Sequence, residues 1–155
     1  GIKNTLILDD SYNASPQAMH EALNVLEALP ASRRIAVLGD MLEIGKFTEY
    51  AHRAVGDKVA KFADILFVVG PKARFIADEA VTRGIEKKSR KLDENQIFIF
   101  DNSREAGKKL DEMLKPGDLI LVKGSQSMRM EKAVEEIMLE PELKTKLLVR
   151  QDWKN

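Results

Sequence analysis

Short, nearly continuous apolar strings alternate with longer stretches of helical spacing along the whole chain, and this alternation constrains the fold more than any other feature. The strings are Thr5-Leu6-Ile7-Leu8-Asp9, Arg34-Ile35-Ala36-Val37-Leu38, Ile65-Leu66-Phe67-Val68-Val69, Ile97-Phe98-Ile99-Phe100 and Leu119-Ile120-Leu121-Val122. An apolar run without polar alternation suits a strand covered on both faces, as in a parallel sheet. Helices between the strings would supply that cover.

The helical stretches carry their own punctuation. Ser15 can cap a helix with Pro16 at its first position, and Met19, Leu23 and Leu26 keep the period until Leu29-Pro30 ends it. Thr48 can cap the next, along which Tyr50, Ala51, Ala54, Val55, Val59 and Phe62 define an inner face. A third helix is expected over about 73–83, ending before Gly84, with Phe75, Ile76 and Ala80 facing inward. A fourth is expected over 103–114, before Pro116-Gly117, and a fifth over about 130–139. The polar stretch 86–96 reads as a solvated connection. The fold class is therefore α/β: one doubly wound, Rossmann-like open sheet, mostly parallel, with helices on both faces.

At 155 residues the chain holds one domain and one sizeable core. Cysteine is absent, which removes disulfides, thiolate chemistry and Cys-ligated metals, and makes a reducing, cytoplasmic setting the simplest expectation. Lys plus Arg number 25 and Asp plus Glu number 25, so nothing in the net charge suggests nucleic acid or an anionic membrane as partner. No apolar run approaches the roughly 20 residues of a membrane span. A chain opening on Gly1 rather than Met reads as a piece of a longer one.

Three polar segments follow strands, where open α/β sheets place their ligand crevice. They are Asp9-Asp10-Ser11-Tyr12-Asn13-Ala14-Ser15-Pro16, Gly39-Asp40-Met41-Leu42-Glu43-Ile44-Gly45 and Lys123-Gly124-Ser125-Gln126-Ser127-Met128-Arg129. Singly, each has a plain structural reading. The aspartates can begin an Asx turn, Asn13 and Ser15 can be turn and cap residues, Gly45 can permit a positive φ, and His52 can sit on a surface or at a core edge. Lys123-Gly124-Ser125 offers a cation, a flexible backbone and a hydroxyl, yet it reverses the Gly-Lys order of a phosphate loop and lacks the upstream glycine. Residues 10–16 contain no glycine, which disfavours a stand-alone dinucleotide module. A pure interaction domain would leave the polar strand ends unexplained.

Taken together the first segment, Leu38-Gly39-Asp40-Met41-Leu42-Glu43-Ile44-Gly45, His52-Arg53-Ala54-Val55-Gly56 and Val122-Lys123-Gly124-Ser125-Gln126-Ser127-Met128-Arg129-Met130-Glu131 resemble, in order and spacing, the C-terminal domain of the Mur ligase family. The resemblance covers essentially all of residues 1–155, and implies one Rossmann-like domain from a three-domain enzyme whose N-terminal and central domains lie outside this chain. It implies a cytoplasmic, monomeric parent that uses ATP and magnesium in peptidoglycan biosynthesis, and hence in cell wall growth, cell shape and cell division. There the C-terminal carboxylate of UDP-N-acetylmuramoyl-tripeptide becomes an acyl phosphate, which the amino group of D-alanyl-D-alanine attacks. The alternatives are the C-terminal domain of a Mur-type ligase with a different amino-acid acceptor, or a stand-alone nucleotide-binding module.

By the same resemblance Asp10 would hydrogen-bond the nucleotide ribose, while Tyr12 and Asn13 would line the adenine side. Lys123 and Ser125 would lie near the reacting phosphate and the incoming dipeptide as catalytic groups, with Ser125 and Asp40 on the substrate side. Asp40 and Glu43 could instead hold a loop. Gln126 departs from the arginine usual in the family, so no charged contact is assigned there. No residue is assigned to a metal, since the phosphate and magnesium sites would lie mostly outside the chain. The isolated domain is expected to be inactive.

Overall fold

A computed structural model of the chain describes residues 5–9, 14–42, 44–86, 91–125, 128–137 and 148–150. Its strands are β1 (Leu6–Asp9), β2 (Arg33–Gly39), β3 (Ile65–Val69), β4 (Ile97–Phe100), β5 (Asp118–Lys123) and β6 (Leu148–Arg150). The helices are α1 (Pro16–Ala28), α2 (Thr48–Ala60), α3 (Arg74–Glu86), α4 (Ser103–Met113) and α5 (Glu131–Ile137). The strands form one sheet in the order β4-β3-β2-β5-β1-β6, and every neighbouring pair is parallel. All five apolar strings are strands. β6 was not among them: an edge strand of three residues, paired on β1 alone, carries too short an apolar run to stand out.

Strand order explains where the helices lie. From β1 to β4 the chain moves toward one edge, then returns to insert β5 between β2 and β1. Because parallel crossovers share one hand, reversing direction sends the connecting helices to the opposite face. Accordingly Leu23, Leu26, Val55, Val59, Ile76 and Ala80 of α1 to α3 pack with Leu8, Leu38, Val68 and Leu121 in one core. Ala106, Leu110, Val134 and Ile137 of α4 and α5 pack with Ile7, Ile35, Phe67 and Val122 in the other. Full burial of each large aliphatic side chain contributes roughly 1.5–3 kcal/mol, so the two layers need each other to close the sheet.

Helix ends show which local signals held. Ser15 Oγ accepts the Ala18 N–H at 3.1 Å with Pro16 at the first helical position, as expected. Asn102 caps α4 in the same way, accepting the Glu105 N–H at 2.9 Å. Thr48 does not cap α2. The turn Gly45–Phe47 is already helical, so Thr48 adopts αR backbone and its hydroxyl donates back to the Gly45 carbonyl at 2.7 Å. Tyr50 is 76% exposed rather than inward, because the buried stripe of α2 runs through Ala51, His52, Val55, Gly56, Val59 and Ala60. Phe75, expected inside, is only partly buried and lies under the Arg53 guanidinium at 5.2 Å. α3 runs through Gly84 to Glu86. The connection after it is not wholly solvated: Leu92 is buried, and the Lys91 and Leu92 N–H groups both donate to the Ala60 carbonyl.

Candidate functional site

Direction reversal puts the loops after β2 and β5 at the position where open α/β sheets hold their ligands. At their carboxyl ends, β2 leads to a helix on one face while its neighbour β5 leads to a helix on the other, so the two loops part. Just before they part, the backbones come very close. A Cβ on Gly124 would lie 3.0 Å from the Gly39 Cα and 2.7 Å from Met130 Cγ, so only glycine fits there. Met130 closes this point from the α5 side.

Beyond that point the two loops are tied together again. The Ser125 N–H donates to the Asp40 carbonyl at 2.9 Å, and Ser125 Oγ accepts the Leu42 N–H at 2.9 Å. Asp40 reaches in a third direction: its Oδ1 accepts the Ala73 N–H at 2.7 Å, satisfying a backbone donor of the turn that starts α3. Gly70, at φ 107°, makes room for this carboxylate, since a Cβ there would fall 2.6 Å from Asp40 Oδ1. Asp40 is 3% exposed. It thus joins the ends of β2, β3 and β5, the loop-holding role that was the alternative to substrate contact.

Lys123 is 1% exposed, ending β5 opposite Leu38 of β2, on the face that carries α1 to α3. That burial excludes a freely solvated surface lysine. Ser125 is partly buried and keeps a hydroxyl proton for donation, because accepting from Leu42 uses only a lone pair. Asp10, Tyr12, Asn13, Glu43 and Gln126 lie outside the described residues. Among the described residues no group of three or more His, Asp or Glu side chains is placed to hold a metal ion.

His52, expected on a surface or at a core edge, lies instead in the interior. It is fully buried, with Nδ1 2.6 Å from the Thr48 carbonyl and Nε2 accepting the Met41 N–H at 2.9 Å. A carbonyl can only accept, so the proton sits on Nδ1 and the ring is neutral. Burial holds its pKa below the ordinary histidine value; the Thr48 carbonyl and Asp40 oppose the shift, and Lys72 adds to it. His20, between α1 and α2, is lowered by burial and by Lys58. Its helical phase beside Ala51, Val55 and Val59 was the available signal for His52.

These shifts set a sign for the pH dependence. With folded-state pKa values below the unfolded value of about 6.5, the unfolded chain binds more protons as pH falls. The stabilisation is full above about pH 6.5 and declines below it, at no more than about 1.4 kcal/mol per pH unit for each histidine. Urea midpoints should therefore fall between about pH 6.5 and 5, with a shallower fall in His52→Gln. A flat midpoint across that interval would contradict the neutral, buried ring.

The parallel sheet, the two helical layers and the polar loops at the reversal point define an α/β domain of the ligand-crevice class. Residues 1–126 match the family described as Mur ligase, glutamate ligase domain, and the chain belongs to that family. Curated relatives include the UDP-N-acetylmuramoyl-tripeptide–D-alanyl-D-alanine ligases of Bacillus subtilis, 30% identical over 87% of this chain and 28% of that protein, and of Escherichia coli, 33% identical over 85% and 26%. The MurF ligase of Thermotoga maritima, solved in complex with ADP, superposes with a TM-score of 0.70 at 28% identity, covering 92% of this chain and 30% of that one. The chain thus spans somewhat over a quarter of the length of the curated relatives it matches.

Proposed function

We propose that the chain is the C-terminal domain of an ATP-dependent ligase that joins D-alanyl-D-alanine to UDP-N-acetylmuramoyl-tripeptide, a cytoplasmic step of peptidoglycan precursor synthesis. The observation that carries this reading is the Lys123–Ser125 loop tied to the β2 loop at the sheet's reversal point, in a chain whose curated relatives bear that activity in their names. No helix among the described residues is long and apolar enough to cross a membrane.

In the parent reaction the tripeptide carboxylate takes the γ-phosphoryl group of ATP, releasing ADP. The dipeptide amine then attacks the acyl carbon, and phosphate leaves as the amide forms. Negative charge grows on the carbonyl oxygen and the phosphate during attack. In this reading the buried Lys123 supplies a positive charge and Ser125, two residues on, a hydroxyl donor. Asp10, Tyr12 and Asn13 are the proposed nucleotide contacts. Asp40 acts on the substrate side by holding the loop that meets it. The chain has no phosphate loop, so the proposal assigns triphosphate and magnesium binding to the other domains of a monomeric parent.

Two expectations test this division of labour. The full-length parent, given ATP and UDP-N-acetylmuramoyl-tripeptide, should form an amide with D-alanyl-D-alanine and release ADP and phosphate; a product formed only with another amino acid would replace the proposed acceptor. The chain alone should neither hydrolyse ATP nor join peptides, and calorimetry should show ATP binding weaker than micromolar. Robust turnover, or micromolar binding, by the pure chain would overturn the assignment of phosphate contacts to other domains.

A further inference from the structure

Three consecutive residues of the β2 loop are each anchored by a different group. Asp40 is held through its carbonyl by Ser125 and through its carboxylate by the start of α3. Leu42 is held by Ser125 Oγ. Met41, between them and fully buried, depends on His52 Nε2 for its N–H. The other ring nitrogen donates to the Thr48 carbonyl one turn earlier in α2, which fixes both the tautomer and the ring plane. A rigid helix therefore holds the middle of the loop on which Ser125 is seated.

We propose that His52, neutral and protonated on Nδ1, is a positioning residue for the ligation: by holding Met41 it seats the Ser125 loop against the β2 loop on the side that receives the amine. This deepens the ligase reading above and rests on it. Without the imidazole acceptor the Met41 N–H is buried and unpaired, and the loop gains freedom where Asp40 and Leu42 meet Ser125. The proposed nucleotide contacts, Asp10, Tyr12 and Asn13, follow β1 in the sequence rather than β2, so loosening should affect the amine and not ATP. Asp40 from the β2 loop and Lys72 from the turn before α3 are the charges acting on the ring, with opposite signs. Protonation of Nε2 removes the acceptor, so low pH should mimic its loss.

The first test needs no activity. Nitrogen-15 spectra of the chain near neutral pH should show His52 neutral with its proton on Nδ1, and the Met41 and Ser125 amides should exchange slowly. A proton on Nε2, or Met41 exchange at the open-chain rate, would overturn the proposal.

The second test uses the full-length parent. In His52→Leu the KM for the amine substrate should rise by about tenfold or more while that for ATP stays within about twofold, because one buried donor has lost its acceptor. His52→Gln, whose side-chain carbonyl can accept the Met41 N–H, should recover most of the loss. An unchanged amine KM in His52→Leu, or equal rises for amine and ATP that His52→Gln does not relieve, would overturn it. Should His52→Leu fail to fold, the wild type and His52→Gln decide: the amine KM should rise more steeply below about pH 6.5 in the wild type, and identical profiles would refute the positioning role. If D-alanyl-D-alanine is no substrate, the ligase reading fails, while the nitrogen-15 measurement still decides whether His52 holds Met41.

Discussion

Gly56→Ala should destabilise the chain by about 2–3 kcal/mol, against the gain of up to about 1 kcal/mol that alanine brings to an unhindered helix interior. Gly56 lies on the buried stripe of α2 where that helix meets α3. A Cβ there would fall inside van der Waals contact of the Ile76 carbonyl oxygen and 2.9 Å from Glu79 Cβ. The carbonyl belongs to the α3 backbone and cannot turn aside as a side chain could. The helices would have to separate, opening gaps among Val55, Val59, Ile76 and Ala80 in the shared core. The urea midpoint should fall with an unchanged slope, and Gly56→Val should lower it further. A midpoint at or above that of the wild type would show that α2 and α3 do not approach this closely.

Lys123→Met in the full-length parent should lower turnover by about 100-fold, the scale on which one well-placed electrostatic contact acts. Methionine keeps much of the length and removes the charge, so packing changes less than with alanine. At 1% exposure the side chain is shielded from bulk water, so a contact it makes is screened less than that of a surface lysine. Lys108→Ala is the control, because Lys108 is exposed on α4 and its 3.6 Å pair with Glu105 is a surface contact of small effect. Its turnover should match the wild type. Equal turnover in two folded variants would remove Lys123 from the reaction.

Much of the fold was legible because its causes are local. Each buried strand of a parallel sheet is apolar on both faces, so the strings at β2, β3 and β5 announced themselves, as did those at β1 and the half-exposed edge strand β4, and the Ser15-Pro16 pair marked the start of α1 through a hydrogen bond spanning three residues. The resemblance likewise rested on contiguous motifs, and residues 1–126 match the family it named. Signals failed where the deciding partner was distant in sequence. Tyr50 fitted a helical period, but the sheet, α1 and α3 packed around α2 decide which of its sides is inside. β6 exists as a strand through its pairing with β1, which no three-residue string can reveal.

The same division runs through the candidate site. Sequence alone determined the domain class, the lack of a phosphate loop and the presence of polar loops after β2 and β5. Tertiary structure decided what those loops do. Ser125 meets Leu42 across 83 positions, Asp40 meets Ala73 across 33, and His52 reaches back 11 to Met41. Hydrogen bonds of that range depend on strand order and on the face each helix covers, and residue type records neither. An aspartate that terminates a strand and one that binds a substrate are the same letter; burial and the direction of the carboxylate distinguish them, and both come only from the packed sheet.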